Sequence, residues 1–137
     1  DLVDTIDAVV VGGFHGRGRR GGFWGALLMA TRTPTGFETV CKLGSGFSDE
    51  DLAVLKDRLD PLRRSEPPVG LEWNLEPDAW FEPELVLELL GAEISQSPIH
   101  TCGGGYAVRF PRYKRQRDDK TPETATGSDE VVGLFKK

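Results

Sequence analysis

A short basic segment near the C-terminal end carries the residues best suited to chemistry. Residues 109–120 read Arg-Phe-Pro-Arg-Tyr-Lys-Arg-Gln-Arg-Asp-Asp-Lys and hold six cations and two carboxylates. Arginine offers bidentate donors to phosphate oxygens, lysine offers a point charge, and a nearby aspartate can orient a guanidinium group. Most charged runs are solvated surface. Phe110 and Pro111, however, add apolar groups that a solubilising tail does not need, so the segment is predicted to bind phosphate.

A second cationic cluster lies in the glycine-rich residues 16–21, Gly-Arg-Gly-Arg-Arg-Gly. The spacing matches the G-x-G-x-x-G of dinucleotide-binding folds, but that motif requires a helix next. Residues 23–33 instead favour a strand. We therefore predict that the glycines allow a phosphodiester backbone to approach while Arg17, Arg19 and Arg20 neutralise it. A hairpin tip with solvated arginines is the alternative.

The formal net charge of −5 is unevenly distributed. Residues 16–21 contribute +3 and residues 109–120 contribute +4, which leaves −12 on the remainder. If the two basic segments meet in space, they form one positive face on an acidic body. Such a face would attract a polyanion in one orientation and repel it in others.

Strand patterns dominate the elements that must position these residues. Runs rich in apolar and β-branched residues, bounded by turn signals, predict strands at 6–13, 23–33, 37–43, 69–73 and 106–112. Residues 33–36, Thr-Pro-Thr-Gly, are a turn signal between the second and third of them.

One helix is clear after the third strand. Ser48 and Asp51 match a capping box, and four leucines then recur at helical spacing until Pro61 ends the run. These leucines are Leu52, Leu55, Leu59 and Leu62. Residues 63–68 follow as a polar linker.

Two further segments have helical character. Residues 84–93 favour a helix by their leucine and glutamate content, and residues 128–136 are predicted to form a short C-terminal helix capped by Ser128. Pattern alone therefore indicates a mainly β chain with one secure helix.

Taken in order, these motifs resemble the C-terminal domain of ATP-dependent DNA ligases of the archaeal and eukaryotic type. That domain ends in R-F-P-R, R-x-R-x-D-K and P-x-x-A-T, which correspond here to residues 109–112, 115–120 and 122–126. Its opening segment is similar to residues 4–21. The stretches 42–50 and 94–99, and the pair Trp80 and Pro83, also occur in the family's order.

The resemblance implies an OB-fold: a five-stranded Greek-key barrel with one inserted helix and a short C-terminal helix, in a single domain over residues 1–137. It also implies that residues 84–93 form a strand. The adduct-forming K-x-D-G motif is missing from the sequence. Adenylation and DNA-binding domains are therefore expected upstream in the same polypeptide, and the chain is expected to be inactive alone. ATP and Mg²⁺ are expected cofactors of the full-length enzyme, with neither held by this domain alone.

The resemblance also assigns roles to individual residues. Three are expected to be catalytic and to close over bound ATP: Arg117, Asp119 and Lys120. The expected nucleotide-phosphate ligands are Arg112, Arg115, Arg117 and Lys120. The expected DNA contacts are Arg17, Gly18, Arg19, Arg20, Arg109 and Phe110. Phe110 would lie against the minor groove beside the nick, and a core role in the final strand is the alternative.

The cysteines, the histidines and the hydropathy of the chain limit its possible metal chemistry and its location. Cys41 and Cys102 lack C-x-x-C spacing, and His15 and His100 lack partners at ligand spacing, so no metal site is predicted. No apolar run would span a bilayer and no signal-peptide pattern is present, so we expect an intracellular protein, cytoplasmic in a prokaryote and nuclear or organellar in a eukaryote. A start at Asp1 suggests a fragment.

The resemblance implies nicked duplex DNA as partner, a monomer, and roles in DNA replication, repair and recombination. Two alternatives remain. One is the related mRNA-capping enzyme, but the R-F-P-R and P-x-x-A-T segments favour a ligase over it. The other is an autonomous OB-fold module that binds nucleic acid without catalysis, which has no need of the R-x-D-K carboxylates.

Overall fold

Three long strands with alternating inward and outward side chains form the centre of the structure. The computed structural model describes residues 5–135. In chain order the elements are β1 (Thr5–His15), β2 (Trp24–Thr33), β3 (Gly36–Leu43), α1 (Asp49–Leu59), β4 (Arg63–Arg64), β5 (Leu71–Glu72), β6 (Ala79–Phe81), β7 (Val86–Leu90), β8 (Glu93–Gln96), β9 (Tyr106–Arg109), β10 (Arg112–Gln116) and α2 (Ser128–Phe135).

The main sheet has the strand order β10-β7-β1-β2-β3-β5, and β6 pairs with both β1 and β4. Register shifts between Val10 and Gly12 of β1 bend the sheet, as extra residues in one strand do. The sheet curls far enough for Tyr113 N of β10 to donate to the Ser45 carbonyl just after β3, at 2.8 Å. The result is a half-barrel whose five principal strands are β1, β2, β3, β7 and β10.

Both faces of the central strands are apolar. Ile6, Ala8 and Val10 of β1 lie in the larger core cluster inside the curl, whereas Val9 and Val11 belong to a second cluster on the opposite face. Trp80 is in that second cluster and makes an edge contact with Trp73, with ring centroids 5.0 Å apart. Because β1 is covered on both faces, it reads as an almost unbroken run of apolar residues.

Helix α1 confirms the predicted insertion after β3. Ser48 Oγ accepts from Asp51 N at 3.0 Å and Asp51 Oδ2 accepts from Ser48 N at 2.9 Å, so the capping box is present in full. Three of the predicted apolar positions, Leu52, Leu55 and Leu59, are buried. Helix α1 ends at Leu59, two residues before Pro61, and a 3₁₀ turn over residues 60–62 follows it.

One open alternative is decided and two local predictions are wrong. Composition favoured a helix at residues 84–93, but β7 occupies 86–90, as the resemblance implied, because it is buried between β1 and β10 and tertiary burial overrides helix propensity. The linker at 63–68 contains β4. Ser128 does not cap α2: it is the first helical residue, and its hydroxyl lies 2.7 Å from Thr31 Oγ1.

The predicted last strand, 106–112, is two strands. Phe110 has φ 53°, which ends β9, and Pro111 cannot donate a hydrogen bond to a ladder. Strand β9 pairs with β8 in a separate hairpin, whereas β10 joins the main sheet beside β7. Neither α1 nor α2, the helices within residues 5–135, is long and apolar enough to span a membrane.

Candidate phosphate and nucleic-acid interface

Arg117 lies at the centre of an ion-pair cluster on the face of β1, β7 and β10. Its Nε and Nη2 donate to the two carboxylate oxygens of Asp119, both at 3.0 Å, and its Nη1 donates to Asp7 Oδ1 at 3.0 Å. The same Nη1 lies 3.7 Å from Glu88 Oε2. Lys120 Nζ lies 3.7 Å from Asp7 Oδ2. Arg117 therefore lies between Asp119 of its own segment and two carboxylates from β1 and β7, and Lys120 shares one of these, Asp7.

Strand register explains how these carboxylates reach the C-terminal segment. Asp7 of β1 pairs directly with Glu88 of β7, and Glu88 pairs with Arg115 of β10. Side chains opposite each other on one face of a sheet are close enough to form ion pairs. Arg115 Nε donates to Glu88 Oε1 at 2.9 Å, and Arg117 N donates to the Val86 carbonyl just beyond the end of β10.

The ion pairs of this cluster stabilise the ionised forms of their partners. Hydrogen bonds from Arg117 lower the pKa of Asp119 to about 2, and the same pair raises the pKa of Arg117. A hydrogen bond from Arg115 is the main cause that lowers the pKa of Glu88, against the opposing effect of burial. Glu88 and Asp119 are therefore ionised over the whole physiological range.

Stability should fall in acid because of these lowered pKa values. A carboxylate whose pKa is lower in the folded state stabilises the protein above its unfolded pKa, and that contribution is lost as the pH falls. We expect the melting temperature to drop between about pH 4.5 and pH 2, the window set by Glu88 and Asp119. Glu88→Gln should be less stable than wild type at pH 7 and lose less on acidification, as thermal unfolding across this range would measure.

The control for the acid transition is Glu84→Gln, which removes an exposed carboxylate that forms no ion pair within residues 5–135. Its acid transition should match that of the wild type. An unchanged transition in Glu88→Gln would contradict the assignment of the acid sensitivity to this site.

Helix α1 also holds the C-terminal segment. Arg58 Nη1 bonds to Asp118 Oδ1 at 2.6 Å and also contacts Gln116 Oε1. Asp118 therefore points away from Arg117, toward the helix, whereas Asp119 clamps Arg117.

Residues 109–112 form an exposed turn. Phe110 is 69% exposed, which excludes the core alternative, and φ values near 53° are uncommon for a residue other than glycine, still more for one that precedes proline. Arg109 stacks over the Phe110 ring with its Cζ 5.1 Å from the centroid and lies 3.7 Å from Glu93. Beside the turn is a pocket of about 420 Å³ lined in part by Phe110, Arg112 and Lys42.

The glycine-arginine loop leaves two of its arginines exposed. Gly18 has φ 58° and begins a 3₁₀ turn, Gly18–Arg20. Arg17, just before the turn, and Arg19, within it, are both exposed to solvent. Arg20 is structural as well: its Nη1 donates to the carbonyls of Gly25 and Gly44, both at 2.9 Å, and its Cζ stacks over Phe47.

The two basic segments meet through residues 44–47. Arg20 bonds to Gly44, Phe47 packs against Tyr113 with centroids 4.9 Å apart, and Ser45 accepts from Tyr113 N. Gly46 has φ 95° and lies so close to β10 that an added Cβ would be 2.7 Å from the Tyr113 carbonyl oxygen. Glycine is therefore required at this crossing.

The predicted site residues therefore fall into two groups. Arg115, Arg117, Asp119 and Lys120 lie in the ion-pair cluster. Arg17, Gly18, Arg19, Arg20, Arg109 and Phe110 lie around the exposed turn and loop. Arg112, which the resemblance groups with the nucleotide-phosphate ligands, lies beside the exposed turn and not in the ion-pair cluster. Sequence reasoning missed Asp7, Glu88, Lys42 and Arg58. Asp7 carried a signal, because it is a lone acid within an apolar strand. Trp24 and Trp80 are buried and so do not serve as stacking platforms.

The cysteines and the remaining acids do not form a metal centre in the part of the chain that the structure describes. Cys41 and Cys102 are buried free thiols, and burial raises the pKa of each. Across residues 5–135 there is no group of three or more histidine, cysteine, aspartate or glutamate residues placed to hold a metal ion.

Comparison with known proteins identifies this arrangement. The sequence model of the family described as "ATP dependent DNA ligase C terminal region" matches residues 20–120. The DNA ligase of Hyperthermus butylicus is 48% identical over all of this chain, and DNA ligase 2 of Thermofilum pendens is 50% identical over 99% of it. The chain spans 24% of the length of either relative.

Solved structures agree. The ligase domain of M. tuberculosis LigD superposes with a TM-score of 0.74 at 26% identity, over 92% of this chain and 39% of that one. A mycobacterial DNA ligase D complexed with ATP and MES gives a TM-score of 0.67 at 27% identity, over 91% and 38%. The half-barrel is thus the predicted OB-fold. The chain belongs to the family of C-terminal regions of ATP-dependent DNA ligases.

Proposed function

We propose that this domain is the mobile C-terminal domain of an ATP-dependent DNA ligase that seals nicks in duplex DNA. The observation that carries the proposal is that β10 lies between two surfaces that present arginine and lysine side chains, one of which also holds the carboxylates of Asp7, Glu88 and Asp119. Its first residue, Arg112, lies beside residues 44–46 and the exposed Phe110, whereas Arg117, just past its end, lies beside β1 and β7. One surface suits a nucleotide triphosphate and the other suits a DNA backbone.

In the first step the ion-pair cluster would face ATP held by an upstream adenylation domain. There a lysine nitrogen bonds to the α-phosphorus, the bond from that phosphorus to the bridging oxygen breaks, pyrophosphate leaves, and the amine proton is released. Arg117 and Lys120 would neutralise the β- and γ-phosphates as charge builds on the leaving group, and Asp119 would orient Arg117. Such positioning and charge neutralisation dominate catalysis of phosphoryl transfer.

In the later steps the domain would rotate to present its other surface to DNA. AMP passes from the lysine to the 5′-phosphate of the nick. The 3′-hydroxyl then attacks that phosphate, the phosphodiester bond forms, and AMP leaves. Arg17, Arg19 and Arg109 would contact the phosphodiester backbone. Phe110, which the left-handed turn projects into solvent, would pack against the minor groove.

The guanidinium of Arg117 and the ammonium of Lys120 converge at the ion-pair cluster and would hold the phosphates of ATP, where the nearby carboxylates of Asp7, Glu88 and Asp119 orient these cations and balance their charge. Mg²⁺ does not fit: residues 5–135 lack a cluster of metal ligands, and each carboxylate of the ion-pair cluster is already paired with a cation.

Binding of the isolated chain to DNA tests this function against an autonomous OB-fold module. We expect weak binding that favours nicked or intact duplex over single strands, because within residues 5–135 Phe110 is the one exposed phenylalanine, tyrosine or tryptophan beside the basic segments, whereas single-strand binders present a row of stacking platforms. Affinity should fall steeply between about 50 and 200 mM salt, since phosphate contacts release counterions. Fluorescence anisotropy with labelled oligonucleotides at both salt concentrations measures this. Tight single-strand binding would instead support the autonomous module.

A further inference from the structure

Asp7 connects the two cations of the ion-pair cluster that are expected to meet ATP. Its two carboxylate oxygens contact different partners: Oδ1 lies 3.0 Å from Arg117 Nη1, and Oδ2 lies 3.7 Å from Lys120 Nζ. The side chains of Asp7 and Arg117 are only 16% and 15% exposed. Solvent therefore screens this pair less than it screens an ordinary surface ion pair.

The backbone of Asp7 is fixed on both sides. On one side it pairs with Glu88 of β7. On the other, Asp7 N donates to Thr126 Oγ1 at 2.9 Å, and Thr126 N donates to the Asp7 carbonyl at 2.8 Å. The carboxylate therefore projects from a point that the sheet and the P-x-x-A-T segment both hold in place.

We propose that Asp7 is a positioning residue that presets the spacing and direction of Arg117 and Lys120 for enzyme adenylation. Long cationic side chains lose rotamer freedom when they bind phosphate, and a carboxylate that already orders them removes part of that loss. One carboxylate with two oxygens suits this role because it holds both cations at once. The role of Thr126 is then to hold Asp7.

This inference rests on the proposed function, and step-resolved assays of the full-length ligase separate the two. The variant is Asp7→Asn, which keeps the shape and the backbone bonds but removes the charge. We expect the maximal rate of enzyme–AMP formation at saturating ATP to fall by about tenfold or more, with a smaller change in KM for ATP. Sealing of pre-adenylated nicks should stay within about twofold, which also shows that the variant is folded.

Two further variants make the test sharper. Asp7→Glu keeps the charge and should retain more of the adenylation rate than Asp7→Asn. Combining Asp7→Asn with Lys120→Ala should cost less than the product of the single effects, because both changes disrupt one arrangement. Strict additivity, or equal losses in Asp7→Asn and Asp7→Glu, would overturn the positioning role.

The two failures are distinguishable. If Lys120→Ala and Arg117→Ala slow adenylation but Asp7→Asn does not, only the positioning role of Asp7 is lost. If none of the three slows adenylation, the proposed function of the ion-pair cluster fails with it.

Discussion

Lys120→Ala in the full-length ligase should slow enzyme adenylation by about 10²–10³-fold, the loss typical when one charge-stabilising group is removed from a transition state. Lys120 Nζ shares Asp7 with Arg117 in this structure, so it is held close to the group expected to bind the same triphosphate. The effect should appear in the maximal rate of enzyme–AMP formation, measured with labelled ATP under single-turnover conditions.

Sealing of a pre-adenylated nick should remain within about twofold in the same variant, since that step needs no pyrophosphate to leave. Lys114→Ala is the matched control: it removes an exposed lysine of β10 that has no ion pair in the described residues 5–135. Comparable losses in both steps for Lys120→Ala, or a comparable loss of adenylation in Lys114→Ala, would contradict the separation of the two surfaces.

Elements that depend on near neighbours could be predicted from the sequence. Ser48 and Asp51 lie within one helical turn, so the cap of α1 can be read directly. The spans of β1, β2 and β3 follow from apolar runs closed by turn residues. The five principal strands and the inserted helix also fit the resemblance in order and number.

Elements that depend on residues distant in the sequence could not be predicted in this way. Residues 84–93 have a helical composition, and only burial between β1 and β10 makes residues 86–90 a strand. The sequence does not predict that the strand ends before Phe110 either, because residues 106–112 alternate as those of one strand would. Local composition does not show which strand each half will join.

The candidate site shows the same division. Arg117, Asp119 and Lys120 are close in sequence, and the resemblance is enough to name them as candidates. Asp7 and Glu88 reach them only through the register of β1, β7 and β10, in which a shift of one residue would turn both carboxylates to the other face. Arg20 looked equivalent to its neighbours, but its two carbonyl partners become visible only when β2 and β3 are paired.

The double variant Arg17→Ala/Arg19→Ala should have the opposite effect to Lys120→Ala. It removes the two exposed cations of the loop and leaves Arg20, which bridges Gly25 and Gly44, unchanged. We expect sealing of pre-adenylated nicks at limiting enzyme to fall by about tenfold or more, and adenylation to stay within about twofold, because phosphate contacts mainly set DNA affinity.

Salt dependence provides the signature that a folding defect would not produce. Each phosphate contact contributes about 0.9 to the slope of log affinity against log salt, so the double variant should lose about 1.8 from that slope. Arg64→Ala is the control, because Arg64 is already paired with Glu82 at 2.5 Å; its slope should match that of the wild type. A slope unchanged by loss of both loop arginines would mean that they do not touch DNA. The DNA-binding surface would then have to be centred on Arg109 and Phe110 instead.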